Sequence, residues 1–132
     1  MKKAYEAVVP AGGWSEKFTF SPAVRAGNLL FISGMTASDR SGRIVGENDI
    51  VRQTEYIYEK MAAVLAAAGA HFSNVVETTE YYTEDRDYSK TAAVRRKVFG
   101  EPPYPAATGV RVAGLIRAGA LIEIKAVAVL DP

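Results

Sequence analysis

Gly119-Ala-Leu-Ile-Glu-Ile-Lys-Ala-Val-Ala-Val-Leu130 divides by period two into Ile122, Ile124, Ala126, Ala128 and Leu130 on one side and Leu121, Glu123, Lys125, Val127 and Val129 on the other. Successive side chains of a strand point to opposite faces, so each set belongs to one face of a sheet. The first set is wholly apolar and suits a cover of helices. The second carries a lone carboxylate, Glu123. Just upstream, Tyr104-Pro-Ala-Ala-Thr-Gly-Val-Arg-Val-Ala-Gly-Leu115 predicts a neighbouring strand. If its Val110 and Val112 join the helix-side core, then Ala107, Gly109 and Arg111 share the face of Glu123, and the small residues leave room for a ligand.

Working outward, Asn48 to Ala68 repeats apolar residues at three and four through Ile50, Ile57, Met61, Val64, Leu65 and Ala68, which predicts an amphipathic helix. Asn48 or Asp49 can accept its first free amide hydrogens, and Gly69 can end it in a left-handed turn. Lys17 to Phe20 and Asn28 to Ser33 predict a hairpin joined near Arg25-Ala-Gly27. Asn74 to Thr83 predicts a further strand. A second helix is expected from a cap at Asp87 to Phe99, stopped by Gly100 and Pro102-Pro103. Hairpin, helix, strand, helix and two strands make an α+β chain, with a mixed sheet and both helices on one face. Two helices cover one face only. Leu121, Val127 and Val129 then remain on an open apolar surface of the kind that marks association, which predicts a homo-oligomer.

The composition narrows the function classes. A chain of 132 residues, without a repeat or linker, is expected to form one domain over 1–132. Sixteen basic and fifteen acidic residues, neither gathered into a block, leave no electrostatic footprint for nucleic acid or an anionic membrane. The absence of cysteine excludes disulfides, thiolate metal sites and a cysteine nucleophile. His71 is the only histidine, and with no second ligand at helical spacing no metal site is predicted. No apolar run reaches the roughly 20 residues of a spanning helix, and the Met1-Lys-Lys start leads into polar residues, so a soluble cytoplasmic protein is expected.

Several stretches resemble the Rid/YjgF family: Phe20-Ser-Pro-Ala-Val-Arg-Ala-Gly-Asn-Leu-Leu-Phe-Ile-Ser-Gly34, the long helix, Val75 to Asp87, and Pro105 through Leu130. The resemblance implies a chorismate-mutase-like α+β fold, a homotrimer with clefts between subunits, and cofactor-free hydrolysis of reactive imines and enamines to ketoacids and ammonia. It also implies site residues. The glutamate that positions the attacking water falls on Glu123, and a pocket-lining serine-glycine pair falls on Ser33 and Gly34. The binding stretch takes in Phe20, Ala107, Thr108, Gly109 and Arg111.

The chain departs from the family pattern at four places. Ala107 stands where an arginine grips the substrate carboxylate, Phe20 replaces a tyrosine, Ala92 an asparagine, and Gly109 a frequent cysteine or small residue. Charge-assisted hydrogen bonds contribute about 1.5 to 3 kcal/mol. Loss of that guanidinium is therefore expected to weaken binding of simple 2-imino acids by roughly one to two decades. Two functions follow: an imine or enamine hydrolase acting on a bulkier, less anionic metabolite, or a non-catalytic trimer that holds a small molecule or docks a partner. A ribonuclease role, also attached to this family, finds no basic stripe interleaved with aromatics.

Other residues admit plainer readings. Glu123 could pair with Lys125, Arg111 could be a salt-bridged interface residue, and Arg95 and Arg96 fit a solvated helix face. Tyr81, Tyr82 and Tyr88 fit the core or the cleft. Trp14, on a glycine-rich loop, fits a lid or a subunit contact.

Overall fold

The backbone hydrogen bonds of the computed structural model build six strands and two α-helices, and residues 1–83 and 86–131 are described. The strands are β1 (Glu6–Val8), β2 (Ala23–Ala26), β3 (Leu29–Met35), β4 (Val75–Tyr82), β5 (Ala106–Arg111) and β6 (Ile122–Val129). The helices are α1 (Ile50–Ala67) and α2 (Ala92–Phe99), the latter preceded by a 3-10 turn over Tyr88–Thr91.

The helix α1 forms where its periodicity places it. Asp49 accepts a hydrogen bond from the Arg52 amide at 3.0 Å, which caps the first turn. Gly69, at φ +72°, takes the left-handed conformation that ends the helix. Its inner face buries Ile50, Ile57, Met61, Val64 and Leu65, together with Tyr58, Gln53 and Thr54. The Gln53 amide is fully used: its nitrogen donates to the Gly46 and Gly119 carbonyls, and its oxygen accepts from the Leu121 amide. One buried side chain thereby ties the helix to the loops on either side of it.

The sheet runs in the order β1-β2-β3-β6-β4-β5, antiparallel except for the parallel pair β4 and β5. Here one expectation fails. The strands β5 and β6 are not neighbours, because β4 lies between them. A parallel pair needs a long crossover, and the segment carrying α2 supplies it between β4 and β5. The expected division of β6 holds. Ile122, Ile124, Ala126 and Ala128 are buried under the helices at no more than 2% exposure, while Glu123, Val127 and Val129 are partly exposed on the opposite face.

The hairpin turns at the end of the expected joint, but its first strand lies closer to the turn than expected. Arg25 and Ala26 belong to β2, and the turn lies at Gly27 and Asn28, with Gly27 at φ +62° and Ala26 facing Leu29. Lys17 to Phe20 is not a strand. The alternating aromatics there instead gather against Trp14, with ring centroids 4.8 Å apart for Trp14 and Phe18 and 5.2 Å for Phe18 and Phe20. Asp87 precedes the 3-10 turn without capping it and pairs with Lys90 at 3.0 Å.

After β3 the chain is held by Lys60, whose ammonium donates to the Thr36 and Ser38 carbonyls at 2.8 and 2.9 Å. Burial, reinforced by Arg117, lowers its pKa from 10.5 to about 8. Between those two values the unfolded chain binds the proton and the folded chain does not, so the Lys60 contribution to stability rises with pH across that window. Urea unfolding of wild type and Lys60→Met on both sides of the window checks this. The wild type is expected to gain relative to the variant as pH rises, and parallel profiles would remove Lys60 as the cause.

Candidate functional site

Residues opposite one another in a ladder share a face, so the register of β4 assigns every candidate residue to a side of the sheet. Thr78, Glu80 and Tyr82 face Ala126, Ile124 and Ile122 of β6, which puts them on the helix side. Their partners across the parallel ladder are Ala107, Gly109 and Arg111. These three therefore lie on the helix side, away from Glu123, and the expected grouping with Glu123 is corrected. Thr108 and Val110, paired with Thr79 and Tyr81, occupy the face of Glu123 instead. The misplacement has a simple cause. The strand β5 is an edge strand with all six residues exposed, so the apolar character of Val110 does not mark the inner side.

On the outer face Glu123 stands beside β3. A Cβ built on Gly34 would collide with the Glu123 carboxylate, so only glycine lets the two approach. Gly34 falls where the β3 and β6 register shifts between Ile32 and Met35, a bulge that brings the two together. Next to it, the Ser33 hydroxyl donates to the Ser21 carbonyl at 2.6 Å, and the Ser33 amide donates to the Pro22 carbonyl at 3.0 Å. These bonds anchor the segment that carries Phe20. The Trp14 indole donates to the Phe20 carbonyl at 2.8 Å, and Trp14, Phe18 and Phe20 wall a shallow recess of about 400 Å³. Glu123 makes no ion pair or hydrogen bond to any described residue, and the pairing with Lys125 does not form.

On the helix side a second recess, of about 200 Å³, lies between α2 and β5. Its walls are Thr78, Ala92, Phe99, Tyr104, Pro105 and Ala107, with Arg95 and Arg96 at its side. Two of the four departures from the family pattern, Ala92 and Ala107, thus open a single cavity.

A buried network supports this recess. The Glu80 carboxylate, only 3% exposed, accepts from the Tyr88 hydroxyl at 2.6 Å, the Tyr58 hydroxyl at 3.3 Å and the Arg95 guanidinium at 3.2 Å. Arg95 also donates to the Thr91 hydroxyl at 2.6 Å. Tyr82 and Tyr88 stack with centroids 3.8 Å apart. Burial first, and the Glu80 carboxylate after it, push both Tyr58 and Tyr88 above the usual phenol range. A Cβ on Gly109 would come within 3.0 Å of the Tyr88 hydroxyl, so glycine there makes way for the ring that reaches Glu80. Arg95 is not the solvated cation expected of it. The signal available was Glu80 itself, a carboxylate on the inward parity of β4, together with the Thr91 and Arg95 spacing on one helical face.

Among the described residues no cluster of three or more metal-ligating side chains exists, and no helix is long and apolar enough to cross a membrane.

The fold, with its two helices on one side of a mixed sheet, is that of a chorismate-mutase-like α+β protein. Comparison with known proteins agrees. Residues 15–130 match the family described as Endoribonuclease L-PSP. The Escherichia coli protein named RutC family protein YjgH is 36% identical over 125 residues, covering 92% of each chain. A solved structure of protein YjgH superposes with a TM-score of 0.85 at 34% identity, covering 98% of this chain and 99% of that one. The human 2-iminobutanoate/2-iminopropanoate deaminase is 30% identical over 113 residues, 86% of this chain and 81% of its own length. The chain belongs to the Rid/YjgF family.

Removing Arg95 strands the buried Glu80 carboxylate, and removing Glu80 leaves the half-buried Arg95 guanidinium without its partner. Glu80→Met and Arg95→Met are each expected to destabilise the fold by about 3 kcal/mol, and the two substitutions together by much less than the sum. Chemical denaturation of the four proteins checks the non-additivity.

Proposed function

We propose that the protein hydrolyses the C=N bond of a small imine, formed directly or by tautomerisation of an enamine, without a cofactor, in a cleft completed by two copies of the chain within a homotrimer. The observation that carries the reading is the Glu123 carboxylate, held beside Gly34 and free of any partner among the described residues. The human relative, named as an imine deaminase, supports the reaction class. Glu123 and the recess at Ala107 lie on opposite faces of one sheet, so a single small molecule reaches both only where a second copy presents its recess to the first. Leu29, Phe31, Val110, Val127 and Val129 lie on the Glu123 face, and Phe31 is 43% exposed, which supports burial of that face by another copy.

The chemistry asks for position and one proton carrier. Glu123 takes a proton from a water whose oxygen bonds to the imine carbon, while the C=N electron pair moves to nitrogen and gains a proton. The carbinolamine then collapses: its hydroxyl proton leaves, the C–N bond breaks and protonated nitrogen departs as ammonia, leaving a carbonyl. Ala107 in place of the arginine argues for a substrate other than a simple 2-imino acid.

A second reading, a trimer that binds a metabolite without turnover, is favoured by the apolar walls Phe99, Tyr104, Pro105 and Ala107.

Ammonia release from a panel of imines generated in situ separates the two. Glu123→Gln is expected to lower turnover at least about 100-fold while leaving the unfolding midpoint and the trimer mass by light scattering unchanged. Equal activity of wild type and variant across the panel excludes the hydrolase, and ligand stabilisation without ammonia supports the binding module. A monomer mass excludes the shared cleft.

A further inference from the structure

The recess beside Ala107 still has a cation facing it, supplied by α2 in place of β5. Arg95 and Arg96 both border the cavity. Arg95 is already committed, because its guanidinium contacts Glu80 and Thr91 and its charge is matched by a carboxylate that is 3% exposed. The side chain of Arg96, one residue on, makes no ion pair or hydrogen bond to any described residue. Every other wall residue is neutral: Thr78, Ala92, Phe99, Tyr104, Pro105 and Ala107. The cavity therefore has one uncompensated guanidinium, that of the exposed Arg96, at the rim of mainly apolar walls.

We infer that Arg96 is a specificity-determining residue that takes a carboxylate carried on an apolar arm, an inference that rests on the proposed hydrolase for the identity of the reacting end. A guanidinium fork matches a carboxylate with two parallel donors, and the apolar walls beside it take the arm that carries the carboxylate. The volume suits such an arm. A cavity of about 150 Å³ accepts benzene, and this recess holds about 200 Å³. Ala92 and Ala107 are what make that space, since a long side chain at either would fill it. An arginine on β5 at position 107 would grip an anion at the strand. Arg96 grips it from the helix across the cavity, so the preferred substrate has its carboxylate separated from the C=N carbon by an apolar spacer instead of attached to it.

The probes are hydrocinnamate and its neutral amide, hydrocinnamide, titrated into the full-length protein and followed by two-dimensional amide NMR. In wild type the carboxylate is expected to bind about tenfold more tightly than the amide, with shifts centred on Ala92, Phe99 and Ala107. Arg96→Gln is expected to bring the ratio close to one without changing amide affinity, and Arg96→Lys to restore part of it. A ratio unchanged in Arg96→Gln, shifts centred elsewhere, or no binding of the carboxylate overturns the inference. Its fate is separable from that of the hydrolase. A carboxylate preference that depends on Arg96, alongside full activity of Glu123→Gln, keeps the anion site and sinks the imine chemistry. Loss of turnover in Glu123→Gln with a ratio indifferent to Arg96 does the reverse.

Discussion

A single carboxylate, Glu80, gathers both α-helices and the 3-10 turn before α2 onto the sheet. It projects from β4 and receives Tyr58 from α1, Tyr88 from the 3-10 turn and Arg95 from α2. A carboxylate this deeply buried is costly unless donors surround it, and three of them do. The consequence reaches the surface. With Arg95 drawn inward and Gly109 yielding to Tyr88, the wall between α2 and β5 keeps the shape in which Ala92 and Ala107 face each other across an open cavity. Core electrostatics and recess geometry are here the same arrangement.

The sheet imposes the second constraint. Its two faces have different neighbours: helices and the buried network on one side, Glu123, Gly34 and an uncovered apolar surface on the other. Each face of one chain offers half of what an imine hydrolase would use, a proton carrier on one and a binding recess on the other. Neither half can be read as a complete site, which is why association and chemistry are coupled in the proposed function.

What was legible in the residues followed from strict periodicity. The alternation of Ile122, Ile124, Ala126 and Ala128 with Glu123, Lys125, Val127 and Val129 needs no knowledge of neighbours to be interpreted, and α1 is marked at both ends by Asp49 and Gly69. The order of strands was not legible, because hydropathy says which side of a strand is inward and nothing about which strand lies next to it. At β5 even the inward side was obscure. Val110 is apolar for the outer face, while Ala107 and Gly109 are small because α2 and Tyr88 come close to them. Arg95 misled for a related reason: a charge on a short helix looks solvated until the carboxylate fifteen residues earlier is known to face it. The family resemblance singled out Gly34 and Glu123 separately, and their close approach has its geometric reason in the bulge of β3.

Trp14 is the only tryptophan in the chain, and its indole packs edge-on to Phe20 at 5.5 Å while its nitrogen holds the Phe20 carbonyl. Emission excited selectively at the indole therefore originates at one spot, tied through the Phe20 carbonyl to the chain one and two residues before the Ser21 and Pro22 carbonyls that secure Ser33. Any rearrangement of that anchor alters the surroundings of the single indole, so the molecule carries its own optical probe of the segment flanking Glu123 and Gly34.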